Sequence, residues 1–313
     1  MNSRHTLILA ALVLLASSLA PGSADAARRD KDERAALYPE ATREEPKVGF
    51  SSRLSKQIKK LQDAYAGEGT EAETIAAAEE ILANEKAQPY DRAMAMLLAG
   101  SAAMAIGDDA KAESYLSRAI EENVLSNDNH YTAMLTLASV YVNTEQYEKG
   151  NALIERVITE TKTTNPEVYF LLGASFYNSD KYAEAIEPLK KAIELKGGEP
   201  ETQWLQMLMA SYSEAGQDGE AVKLAEEIQA KNPDDKKALL ILATLYADMD
   251  MQDKAVAILE DARKRGLLTE PADYQRLFGT YYNMGREKDG AAVLEEGLAK
   301  GILPADAKTY TLL

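Results

Sequence analysis

The sequence lacks cysteine entirely, and it contains only two histidines and one tryptophan among 313 residues. The absence of cysteine excludes disulfides, thiol nucleophiles and cysteine-ligated zinc or iron–sulfur sites. Positive charge is also scarce, because 35 Lys and Arg stand against 51 Asp and Glu, a net charge of −16. Nucleic-acid binding needs clustered cations, so this balance argues against it and favours a basic protein segment as partner. The 46% of hydrophobic residues is typical of a chain that folds.

No set of residues with catalytic spacing is present either. His130 stands near the start of a predicted helix without a partner for base catalysis. Asp248, Asp250 and Asp253 resemble the start of a calcium loop, but Leu259 occupies the position of its final carboxylate ligand. We therefore predict that the protein is not an enzyme, that it has no catalytic residue, and that it binds no metal and no cofactor.

Residues 1–26 have the composition of a secretory signal peptide. Arg4 supplies a positive start, Thr6–Ala20 is apolar, and Ala24-Asp25-Ala26 fits a small-x-small cleavage site. The apolar run has about 15 residues, fewer than the ~20 that cross a bilayer. We expect cleavage of this segment and a periplasmic protein that is not inserted in the membrane. Residues 27–50 are rich in charge and poor in apolar side chains, which predicts a flexible leader.

Helical periodicity recurs from Ser51 onward in units whose small residues are 34 to 38 residues apart. In the second helix of each unit this small residue is Ala112, Gly150, Ala185, Ala221, Ala255 and Gly290. The corresponding column of the first helix is Gly100, Ala138, Gly173, Met209, Ala243 and Phe278. Small residues at these columns allow two antiparallel helices to approach closely. Between the paired helices, Gly107, Gly216 and Gly285 alternate with Glu145, Asp180 and Asp250 as expected left-handed turn residues.

This pattern resembles the tetratricopeptide repeat, a helix–turn–helix unit of about 34 residues. One unit matches its consensus nearly completely, at Tyr169, Leu172, Gly173, Phe176, Tyr182, Ala185, Leu189 and Ala192. The resemblance implies an all-α, right-handed superhelical solenoid. We expect a degenerate capping pair at 51–92, six repeats at 93–306 and the start of a further repeat helix at 307–313. That last helix suggests that the natural chain continues or that another chain covers this end.

The first helices of such repeats line a concave groove, in which we expect a protein segment to bind. One residue after the small column, and one turn further along, lie the predicted groove residues: Ser139, Asn143, Ala174, Tyr177, Asn178, Ser213, Thr244, Gly279, Tyr282 and Asn283. Asn side chains can pair with peptide amides, and Tyr offers a flat apolar surface. In the alternative interpretation, Tyr177 and Tyr282 pack against the next repeat. Trp204 and Met209 are expected in the core.

A narrower resemblance comes from Glu201–Leu208, Ala262–Thr269 and Gly297–Ile302. These segments are similar to exported repeat proteins encoded beside TonB, ExbB and ExbD. The resemblance implies a periplasmic accessory protein, and we expect its partner to be a protein, such as a basic segment of a TonB-like protein. Two alternatives remain open: an assembly factor for cell-wall or pilus machinery, and an accessory repeat domain of a longer enzyme.

Overall fold

The computed structural model describes residues 35–67, 70–197 and 201–311. The predicted signal peptide lies outside the described residues. Within them the chain is helical and forms no strand. The helices are α1 (Ser55–Ala66), α2 (Glu71–Leu82), α3 (Pro89–Ala105), α4 (Asp109–Glu121), α5 (Asn127–Asn143), α6 (Tyr147–Thr161), α7 (Pro166–Asn178), α8 (Tyr182–Lys196), α9 (Thr202–Glu214), α10 (Asp218–Lys231), α11 (Lys236–Asp248), α12 (Gln252–Lys264), α13 (Pro271–Asn283), α14 (Glu287–Ala299) and α15 (Ala307–Tyr310).

The chain divides into two compact units, residues 1–204 and residues 205–313. In unit 1, each helix from α1 to α8 packs against the next helix along the chain. The first helices of neighbouring pairs also touch, because α3 contacts α5 and α5 contacts α7. In unit 2, consecutive helices from α10 to α14 pack in the same way. Each unit is thus a stack of helix hairpins.

Glycines mark the closest approach within the hairpins of unit 1. A Cβ atom on Gly100 would lie 2.6 Å from Leu116 Cγ, and one on Gly173 would lie 2.6 Å from Leu189 Cγ. Both leucines are fully buried. The glycine and the leucine have the same separation in sequence in both pairs. The predicted column of small residues is therefore confirmed as the helix crossing in these two hairpins.

The turns follow the predicted register. Gly107, Gly216 and Gly285 have φ of 77°, 70° and 68°. Glu145, Asp180 and Asp250, which replace glycine in the other units, have φ of 61°, 58° and 59°. The left-handed conformation costs a non-glycine residue little at a single turn position, which is why the repeat tolerates Asp there. The prediction for these turns is confirmed.

Residues 37–50, here called the strap, differ from the predicted flexible leader because they pack on unit 1. Tyr38 is buried, and its ring meets that of Tyr131 edge-on at 5.3 Å. The Thr42 amide donates a 2.8 Å hydrogen bond to the Glu160 carbonyl. Arg43 Nη1 donates to Asn127 Oδ1 at 2.8 Å and to the Leu125 carbonyl at 3.1 Å, and the other two guanidinium nitrogens donate to Asn123. Two aromatic contacts, the second between Phe50 and Tyr90 at 5.2 Å, and hydrogen bonds to backbone and side-chain oxygens hold the strap, and neither kind of contact needs a high apolar content.

Candidate functional site

Unit 2 contains an open pocket of about 460 Å³ between the first helices of its repeats. α9 contributes Gln206, Met209, Ala210 and Ser213; α11 contributes Lys237, Leu240, Ile241, Thr244 and Leu245; α13 contributes Arg276. Spacings of three, four and seven residues place each set on one face of its helix. The register of the repeat therefore turns these faces toward the same space.

The wall of this pocket is mostly apolar. Leu240, Ile241 and Leu245 are only half-buried, although they are large aliphatic side chains. Met209 is 5% exposed and packs with Val222 and Leu242 in the core beneath the pocket. A ligand that covers aliphatic surface otherwise in contact with water lowers the free energy by about 25 cal/mol per Å².

Two cations stand at the same pocket. Arg276 Nη1 donates a 2.7 Å hydrogen bond to Thr244 Oγ1, which fixes the guanidinium against α11. Lys237 lies one helical turn before Leu240 and is exposed. Neither cation forms an ion pair with any described residue. Lys236, the neighbour of Lys237, does form ion pairs, with Asp273 at 2.7 Å and Glu270 at 3.0 Å.

The structure brings together only part of the predicted groove. Ser213 and Thr244 line the pocket. Gly279 is half-buried beside open space, because a Cβ atom there would meet nothing within 4 Å. Tyr282 and Asn283 are exposed at the end of α13 and do not line the pocket. The register prediction thus located the pocket but not its full lining.

In unit 1 the predicted groove residues are less accessible. Ser139 is fully buried and donates to the Leu135 carbonyl at 2.9 Å, and Ala174 is 1% exposed. A partner cannot touch these two side chains in this structure, because the first helices of neighbouring pairs in unit 1 pack against each other. Asn143, Tyr177 and Asn178 are half-buried.

Tyr177 packs within its own repeat, whereas the alternative interpretation expected it to pack against the next repeat. Its ring meets the ring of Tyr182, on the second helix of the same pair, edge-on at 5.4 Å. Trp204 is 2% exposed and stacks on Phe170 at 4.8 Å, as expected for a core residue.

The residues that sequence reasoning missed are Lys237, Arg276 and the aliphatic wall. The groove was predicted from the column of small residues. That criterion does not select charged or branched side chains. A second pattern could have found them: Lys237, Leu240, Ile241 and Thr244 recur at helical spacing on one face of α11.

His130 is buried rather than placed at a solvated helix start. It is 2% exposed, and neither ring nitrogen has a hydrogen-bond partner in the described part of the chain. Burial, reinforced by the positive charges of Arg43 and Arg156 and opposed by Glu160, lowers the pKa of His130 to about 4. An imidazole held neutral inside the core, with no neighbouring nucleophile, is a structural residue.

Across residues 35–67, 70–197 and 201–311, no three His, Asp or Glu side chains come together as a metal-binding group. Among the same residues, every helix is too short or too polar to cross a bilayer.

Comparison with known proteins places this architecture among the helical-repeat proteins. Residues 135–200 match the family model of the tetratricopeptide repeat. The human interferon-induced protein with tetratricopeptide repeats 2 is 33% identical over 125 residues, which are 37% of this chain and 26% of that protein. The chain therefore matches about a quarter of that relative's length.

Two solved structures share the fold. The C-terminal part of a repeat-containing protein from Cytophaga hutchinsonii has a TM-score of 0.61 at 15% identity, covering 83% of this chain and 99% of that one. A tetratricopeptide-repeat protein from Parabacteroides merdae has a TM-score of 0.52 at 16% identity, covering 84% and 98%. The fold is that of a tetratricopeptide-repeat protein, an all-α solenoid that typically serves protein interaction, and the predicted fold class is confirmed.

Proposed function

We propose that this protein is an exported, non-enzymatic scaffold whose unit 2 pocket binds a segment of a protein partner. The observation that carries this proposal is the pocket itself. Ser213 and Thr244, predicted from the repeat register, line it together with half-buried Leu240, Ile241 and Leu245. A tetratricopeptide-repeat fold is typically an interaction scaffold, and a groove with an apolar wall and a few polar groups is suited to a peptide.

Its setting, in the same proposal, is a TonB-type energy-transduction system in the periplasm. Two features of the sequence support this: the signal-like residues 1–26, and the similarity of Glu201–Leu208, Ala262–Thr269 and Gly297–Ile302 to proteins encoded beside TonB. The first of these segments reaches into the pocket through Gln206. The net charge of −16 steers basic partners toward the surface as a whole.

The test is site-specific photocrosslinking of the full chain in its native host. A photoreactive amino acid at Thr244 faces the pocket, and one at Lys264 in α12 does not line it. The proposal expects a TonB, ExbB or ExbD component to be crosslinked from position 244 and not from position 264. Equal crosslinking from both positions, or none from 244, contradicts pocket binding. A cell-wall or pilus enzyme at position 244 supports the assembly-factor alternative.

Export is tested separately by fractionation and N-terminal sequencing of the purified protein. A periplasmic protein beginning at Ala27 is expected. A cytosolic protein that retains residues 1–26 contradicts the proposed location, whatever the crosslinking gives.

A further inference from the structure

The two cations at the unit 2 pocket restrict the chemistry of what binds there. Unit 2 holds 19 Asp and Glu against 13 Lys and Arg. Carboxylates are therefore in excess, and Lys236, Arg263, Arg265 and Lys300 each pair with one. Lys237 and Arg276 form no ion pair with a described residue, and unlike Lys264 and Lys288, which are also unpaired there, they line the pocket. Cations without a local partner beside a binding surface are suited to an anionic ligand.

Both cations line the pocket. The Arg276 guanidinium is fixed by its hydrogen bond to Thr244, whose own hydroxyl donates to the Leu240 carbonyl at 2.9 Å. Four of the five guanidinium N–H donors remain for a ligand. Lys237 is in the first turn of α11 and Arg276 is on α13, so the cations approach the pocket from two different helices.

We propose that the segment bound in this pocket is acidic: a stretch of apolar side chains flanked by Asp or Glu, whose carboxylates pair with Lys237 and Arg276. This inference rests on the proposed function and defines its ligand. The apolar side chains would cover Leu240, Ile241 and Leu245, while Gln206 offers an amide donor and acceptor to the peptide backbone. A basic segment, such as the one predicted from net charge, would meet like charge at this pocket.

The experiment screens a displayed library of random twelve-residue peptides, flanked by linkers at both ends so that no terminal carboxylate is present. The full mature chain is the bait, and the variant Lys237→Glu with Arg276→Glu is compared with it. The control Lys264→Glu with Lys288→Glu changes net charge equally, and both control residues are exposed, lie outside the pocket and form no ion pair among described residues. All four positions are exposed, so folding is expected to be retained and is checked by circular dichroism.

The expected result is enrichment of Asp and Glu by the wild-type chain and by the control, and of Lys and Arg by the reversed variant. A captured acidic peptide, resynthesised with acetyl and amide ends, should bind the reversed variant about tenfold or more weakly, since two charge-assisted hydrogen bonds are lost. Its Lys-for-Glu counterpart should prefer the reversed variant. Neutral or basic peptides captured by the wild-type chain overturn the acidic ligand.

A further variant, Ala210→Trp, separates failure of this inference from failure of the proposed function. It fills the pocket without changing charge, because Ala210 is half-buried on the wall. Captured peptides that are lost on Ala210→Trp but are not acidic overturn the inference and leave pocket binding intact. Capture that Ala210→Trp does not affect, or no capture at all, overturns both. Displacement of the acidic peptide by an equal concentration of laurate assigns the pocket to a fatty acid and overturns the peptide ligand.

Discussion

Both units place glycine against a larger residue where two helices cross, and unit 1 does so on either helix, since a Cβ atom on Gly150 of a second helix would lie 2.9 Å from Val142 on the first. In unit 1 the first helix of a pair carries glycine, Gly100 or Gly173, which faces a leucine of the second helix. In the last pair of unit 2 the second helix carries Gly290, and a Cβ atom there would lie 3.1 Å from Phe278 on the first. A large residue opposite a small one fills the crossing in either order. Conserving the summed volume therefore matters more to this fold than which helix is small.

The units also differ in what they leave open. Unit 1 buries Ser139 and Ala174 and is covered at one edge by the strap. Unit 2 leaves the pocket, with aliphatic side chains half-buried beside Lys237 and Arg276. The pocket of unit 2 thus leaves aliphatic side chains accessible, whereas these two positions of unit 1 are closed.

The largest expected effect on stability comes from substituting two glycines, one in a first helix of each unit. Gly173→Ala should destabilise the protein by about 1–3 kcal/mol, because the new Cβ would lie 2.6 Å from buried Leu189. Gly279→Ala should stabilise it by about 0.5–1 kcal/mol, because its Cβ meets open space in a helix interior. Urea denaturation measures both. An equal cost at the two positions would show that the units are packed alike.

The next effect concerns the pH dependence that His130 gives to unit 1. Burial holds its folded pKa at about 4 against 6.5 in the unfolded chain. Between those values the unfolded chain binds a proton that the folded protein does not, so stability falls as the pH drops from about 6.5 toward 4. From pH 7 to pH 5 the loss from this one residue should be about 2 kcal/mol.

His130→Phe keeps an aromatic ring without a titratable group and should remove that loss. The urea midpoints of both proteins at pH 7 and pH 5 provide the test. Arg43 on the strap and Arg156 and Glu160 on α6 face His130 and are unchanged in the variant. An identical pH dependence in the two proteins would mean that His130 is solvated.

A smaller effect is expected at the strap. Arg43→Ala removes the hydrogen bonds to Asn123, Leu125 and Asn127, with an expected cost of about 1 kcal/mol in local stability, because the bonds to Asn123 are exposed to water. Hydrogen exchange at the amides of Leu37 and Thr42, which donate to Asp128 and Glu160, reports strap opening. Lys47→Ala is the matched control, because Lys47 is exposed and forms no hydrogen bond or ion pair with a described residue. The amides of this variant should exchange at the same rate as those of the parent protein. Unchanged protection in Arg43→Ala would show that other contacts hold the strap.

Sequence periodicity was sufficient for the parts of the fold that repeat. The turn positions followed from register alone, and Asn165 caps α7 by accepting from the Glu167 amide, as its place before Pro166 predicts. The similar Asn232-Pro233 pair does not begin a helix. α11 begins at Lys236, because Asp235 accepts from the amides of Lys237 and Ala238 and so caps the helix later.

What periodicity could not reach were contacts between residues distant in sequence. The strap depends on contacts of Tyr38 with Tyr131 and of Arg43 with Asn127. The amino-acid composition of residues 37–50 does not predict such pairs. Of the predicted groove residues, Ser213 and Thr244 line the pocket of unit 2. The prediction missed the accessibility of Ser139 and Ala174, since the same register is buried wherever neighbouring first helices touch.

The smallest expected effect on the free energy of unfolding is that of Arg276→Ala, which we compare with Arg43→Ala. Arg276→Ala should change the free energy of unfolding by less than about 0.5 kcal/mol, because the side chain is exposed and makes one hydrogen bond, to Thr244. Urea denaturation beside Arg43→Ala measures the contrast. A cost for Arg276→Ala as large as that of Arg43→Ala would assign Arg276 to the fold of unit 2. A negligible cost leaves the guanidinium available, at its fixed position, to a ligand in the pocket.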